Sequence, residues 1–126
     1  MLNREAVHRT PSEQFRAGRT ASLAVGPFNK KIGAWQRQAA LLNGRIRSVH
    51  LRPEDLARAR AEAGDLSHQI VKNLIELEDV VSELPANVQS NSRIEDTFRA
   101  MRQVMSGLRQ SLATPPAAAK DHEEAR

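Results

Sequence analysis

Pro53-Glu54-Asp55-Leu56 opens, and Val80-Val81-Ser82-Glu83-Leu84 closes, the longest uninterrupted helical pattern in this 126-residue chain. Between them, core-type residues fall at Leu56, Ala59, Ala63, Leu66, Ile70, Asn73, Leu77, Val80 and Leu84. The steps alternate three and four, the 3.5-residue repeat of a packed helix seam and not the alternation of a strand. Pro53 suits a first helical position, where its missing N–H would have no intrahelical partner. Glu54 and Asp55 set negative charge against the positive end of the helix dipole. Pro85 cannot donate a backbone bond and biases Leu84 away from helical geometry. The pattern therefore predicts a helix over 54–84.

The two halves of this helix differ. Leu56 to Ala63 is rich in Ala and Arg, which lets a neighbour approach closely, and Gly64-Asp65 is a candidate kink. In the second half Val71, Leu74, Ile75 and Val81 widen the apolar stripe, and Ile75 lies on the side opposite the seam. A helix apolar on more than one face has more than one neighbour. Val71, Asn73, Leu74, Ile75 and Val81 are therefore the expected partner-binding or self-association surface. Asn73, a polar residue on a seam, either sets register or oligomeric state or is satisfied by a local bond.

Outward from the centre lie two more seams. Phe28, Ile32, Trp35, Ala39, Leu42, Ile46 and Val49 step 4-3-4-3-4-3 and predict a helix over about 28–50. Gly33 and Gly44 weaken it by roughly 1 kcal/mol each and are candidates for close approach to another backbone. Ile94, Phe98, Met101, Met105, Leu108 and Leu112 step 4-3-4-3-4 and predict a helix over about 92–112. Ser92 and Glu95 match a capping box, with Asn91 as the alternative cap. Short turns join the three. The expected fold class is all-α: an up-down-up antiparallel three-helix bundle with coiled-coil-like packing, its central helix the longest. Residues 1–26 contain Thr10-Pro11, Ala17-Gly18 and Gly26-Pro27 and show no sustained period, so they read as a flexible or conditionally ordered arm with a short helix near Asn3–His8. Residues 114–126 read as a disordered tail.

Charge is unevenly distributed. Residues 27–52 carry six basic and no acidic groups, whereas residues 53–84 carry three basic and eight acidic. The simplest expectation is two helices that attract each other when folded back. With no cysteine there is no disulfide framework and no thiolate chemistry. No apolar run approaches the ~18 residues of a membrane span, and the first residues lack the apolar core of a secretory signal. A cytoplasmic location is the expectation, with non-classical export left open.

Chemistry-bearing motifs are scarce. There is no Gly-rich phosphate loop, His-Glu-x-x-His or EF-hand loop, and His8, His50, His68 and His122 are scattered. No catalytic residue, metal site, cofactor or small-molecule substrate is expected. Asp65-Leu66-Ser67-His68-Gln69-Ile70-Val71-Lys72-Asn73 resembles the phosphoacceptor helix of histidine kinases and phosphotransfer proteins, which present an exposed His on a bundle helix. That resemblance covers nine residues; Gln69 stands where such kinases carry an acidic residue, and Lys72-Asn73 is shifted by one. It implies His68 as phosphoacceptor, with Lys72 one turn on to help hold the phosphoryl group. A nucleic-acid partner is a further, less favoured alternative, resting on Arg37, Arg45 and Arg47. The leading expectation is a non-enzymatic interaction protein, of the adaptor, chaperone or assembly-subunit kind.

Overall fold

The computed structural model describes residues 11–113. Among them the chain is all-helical: α1 (Pro11–Arg47), α2 (Pro53–Ser82), the single turn α3 (Ala86–Gln89) and α4 (Ser92–Ala113). The helix expected near Asn3–His8 and the tail 114–126 lie outside the described residues. The long helices pack mutually, α1 against α2 and α4, and α2 against α4, while α3 rests on α1.

The largest departure from expectation is at the start. The first helix begins at Pro11, not near Phe28, so residues 11–26 continue the same 37-residue helix. The longest helix is therefore α1 and not the central α2, which has 30 residues. Ala17, Gly18, Ala21 and Val25 are buried and extend the stripe of Phe28, Ile32, Trp35, Ala39, Leu42 and Ile46 without a break. Pro27 sits inside the helix. It removes one backbone bond, normally a cost of about 3 kcal/mol in a helix interior. Pro27 and Leu23, whose carbonyl loses that bond, both face solvent, where water can take the carbonyl. Burial of Ala21, Val25 and Phe28 on the opposite side offsets the rest. Val49, the last residue of the expected seam, lies beyond the helix end at Arg47 and is exposed.

The other boundaries follow local chemistry. Arg52 is extended, Pro53 takes the first helical turn, and the Leu56 amide donates to the Arg52 carbonyl at 2.8 Å. Gly64-Asp65 does not break α2. The helix ends at Ser82, before the Glu83 and Leu84 amides close a tight turn onto Val80 and Val81. Residues 85–91, expected as a turn, hold α3, whose Val88 is buried. Its Gln89 side chain donates to the Leu84 carbonyl at 2.8 Å and to the Ser82 carbonyl at 3.4 Å, the latter one of the groups α2 leaves open. Of the two candidate caps for α4, Asn91 acts: its Oδ1 accepts from the Arg93 amide at 3.0 Å.

Specific bonds set the levels of the helices. Lys31 Nζ donates to Asn73 Oδ1 at 3.0 Å, and Arg45 shares a cleft with Asp55, Arg58 and Ala59. Thr97 donates to Asn29 Oδ1 at 2.9 Å, and Asn43 approaches Gly107, between α1 and α4. Arg60 donates to the Leu112 carbonyl, holding the start of α2 to the end of α4. Gly44 has open space where a Cβ would stand and Gly33 meets only the Arg37 side chain, so neither marks a backbone crossing among the described residues. No described helix is long and apolar enough to cross a membrane.

Candidate partner-binding surface

The candidate surface lies on the second half of α2. Its inward line is Leu66, Ile70, Asn73, Leu74 and Leu77, all buried. Leu74, one of the expected partner contacts, is 8% exposed and belongs to the core. It lies about 100° round the helix from Asn73, so two neighbouring rows of α2 face inward. Val71 and Val81 are partly buried, Val80 is exposed, and Ile75 is 54% exposed. Of the five expected residues, then, Val71, Ile75 and Val81 remain reachable from solvent, and Leu74 and Asn73 do not.

Asn73 has both of its polar ends occupied. Its Nδ2 donates to the Gln69 carbonyl one turn back at 2.9 Å, and its Oδ1 accepts from Lys31. The local bond alone leaves the carbonyl side open. The ammonium from α1 fills it and ties α1 to α2 at one level. This bond pays the desolvation of a seam amide, which would otherwise cost about 1–3 kcal/mol.

His68 is exposed on α2, and Lys72, one turn on, is exposed as well. Arg37, Arg45 and Arg47 are exposed on α1. By the ~100° per residue of an α-helix they spread over roughly half its circumference and do not converge on one groove. Among the described residues no group of three or more His, Asp or Glu side chains is placed to hold a metal ion.

The charge pattern resolves differently from the sequence expectation. The ion pairs between described residues are Arg58–Asp55 at 3.9 Å and Arg99–Asp96 at 3.3 Å, each within one helix. Lys30, Arg37 and Arg45 on α1, and Glu62, Asp65, Glu76 and Glu78 on α2, make no ion pair across the α1–α2 contact among the described residues. What joins the two helices is the apolar seam and the Lys31–Asn73 bond. Sequence reading missed this because net charge says nothing about which side of a helix the charges occupy.

No protein-family model matches this chain, and no curated protein and no solved structure is detectably similar to it.

Proposed function

We propose that this chain is a non-enzymatic protein–protein interaction module, an adaptor, chaperone or assembly subunit that works by helix–helix packing. On this reading α1, α2 and α4 form an up-down-up antiparallel bundle with coiled-coil-like packing. The levels set by Lys31–Asn73, Asn29–Thr97 and Arg60–Leu112 favour that arrangement. The three-and-four stepping of the buried residues favours it too. The observation that carries the function is Ile75. It is a large β-branched residue, 54% exposed, on a helix whose core rows are already filled. The partly buried Val71 precedes it by one turn. Isolated exposed apolar residues are ordinary, but a stripe at helical spacing beside a finished core gives a partner helix its anchor positions.

The test is a photo-crosslinking amino acid placed at Ile75 and, as control, at the exposed Arg109 of α4, with both variants expressed in the cell of origin. The expected result is a discrete adduct with one identifiable protein from position 75 and none from position 109. The same diffuse ladder from both positions, or no adduct from position 75, overturns the reading.

A further inference from the structure

Two exposed stripes lie side by side on the α1–α2 pair. On α1, Arg16, Leu23, Lys30 and Arg37 follow at steps of seven, with Ala34 and Leu41 one turn beyond the last two, and all six are exposed. Leu23 and Leu41 are 71% and 67% exposed, more than any other large apolar side chain described except Phe15. On α2, Asp65, Gln69, Lys72, Glu76 and Val80 step 4-3-4-4, with Glu83 just past the helix end, and all six are exposed. The first stripe is basic and apolar; the second is acidic apart from Lys72 and carries Val80.

Both stripes border the same side. Lys31 marks the flank of α1 that meets α2, and Asn29 marks the flank that meets α4. Leu23, Ala34 and Leu41 lie within about a quarter turn of Lys31, on the side away from Asn29, and Lys30 and Arg37 lie about 100° and 120° from Lys31, at the outer edge of the same stripe. On α2, Glu76 and Val80 lie within about a sixth of a turn of Asn73 and nearly opposite Arg60, which reaches α4. The two stripes therefore form one surface on the far side of the α1–α2 pair from α4.

We propose that a second copy of this chain docks on that surface, the basic stripe of α1 in each copy lying against the acidic stripe of α2 in the other. A two-fold rotation about an axis parallel to the helices brings each stripe onto its complement, which is the requirement for a closed, isologous dimer. The levels agree. Lys31 stands level with Asn73, and the two helices run in opposite senses. At ~1.5 Å per residue, Lys30 comes within about 3 Å of the level of Glu76, Arg37 of Asp65, and Leu23 of Val80. Lys30, Arg37, Asp65 and Glu76 make no ion pair among the described residues, so their charges remain available to a partner. Exposed pairs of this kind select register and partner more than they supply affinity; Leu23, Leu41, Ala34 and Val80 supply the apolar contact. The proposal goes beyond the Ile75 reading. Ile75 lies about 100° round α2 from Glu76, so the two surfaces can fail separately.

Light scattering coupled to size exclusion tests the proposal on the full chain. At about 100 µM and low salt the expected mass is twice that of the chain, falling as salt screens the stripes. The double variants Lys30→Glu/Arg37→Glu and Asp65→Lys/Glu76→Lys should each dimerise about 100-fold more weakly, with helical circular dichroism unchanged, because all four positions are exposed. Mixed together, the two variants should recover a dimer holding one copy of each, and the quadruple variant should dimerise alone. A monomeric wild type overturns the proposal. So does a dimer indifferent to the reversals, or a mixture that fails to recover. None of these outcomes bears on the crosslink from position 75.

Discussion

The two halves of α1 are one helix with one buried stripe, yet they are filled differently. From Phe28 onward the stripe holds Phe28, Ile32, Trp35, Leu42 and Ile46; from Pro11 to Gly26 it holds Ala17, Gly18, Ala21 and Val25. The large half fills space between α2 and α4. The small half lets its neighbours come close: Gly18 lies under the Arg93 guanidinium, and α3 rests on α1. Periodic burial does not require periodic bulk. A hydropathy reading finds a seam where side chains are large and loses it where they are small, although the helix makes no such distinction.

Opposite kinds of substitution should therefore damage the two halves. Trp35→Ala, at a side chain 3% exposed, should cost about 3–5 kcal/mol in urea unfolding followed by circular dichroism. In the small half truncation has little to remove, and added bulk is what hurts. Ala21 is fully buried, and Ala21→Leu should cost about 1–3 kcal/mol. A neutral Ala21→Leu would mean that residues 11–26 are not packed as described. The proline at the boundary offers the next effect. Pro27→Ala restores an amide aimed at the Leu23 carbonyl and should stabilise by about 2 kcal/mol. That is the helix-interior penalty less the entropy proline removes from the unfolded chain. An unchanged urea midpoint would show that the two halves already unfold separately at that point. The glycines give the smallest and finest comparison. Gly44 and Gly26 both have open space around a built Cβ. Gly44→Ala should gain about 1 kcal/mol. Gly26→Ala should gain close to nothing, because a Cβ on the residue before proline opposes helical geometry, and should recover its gain in the Pro27→Ala background. Equal gains at both sites in the wild-type chain would contradict this.

The same distinction explains what was legible elsewhere. In α4, Ile94, Met101 and Leu108 are buried as their spacing implied, but the second buried row is Thr97, Val104 and Ser111. Phe98, Met105 and Leu112, the larger side chains, are only partly buried. Sequence reading favoured bulk; packing between two helices turned the smaller row inward, where Thr97 bonds Asn29 and the Arg93 carbonyl. On α2, Val80 has seam spacing yet is exposed, while Val81 beside it in the last turn packs against the core. Of the candidate surface, Ile75 was legible from its position opposite the seam. The burial of Leu74 was not, since it depends on how two neighbours divide the circumference of α2.

By itself, the sequence determined that this protein is helical, where α2 and α4 run to within about two residues, and that Leu66, Ile70, Leu77, Ile94, Met101 and Leu108 line the core. Those outcomes are set by local terms, the missing amide of proline, the capping bond of Asn91 and the 3.5-residue spacing of bulky side chains. Only the tertiary structure decided that residues 11–26 join α1 through Pro27, that Lys31 completes Asn73, and that the charges of α1 and α2 form no ion pair with one another among the described residues. Each of these rests on groups far apart in the chain. A small side chain, a seam amide or a charge has no energetic direction until a second helix stands beside it.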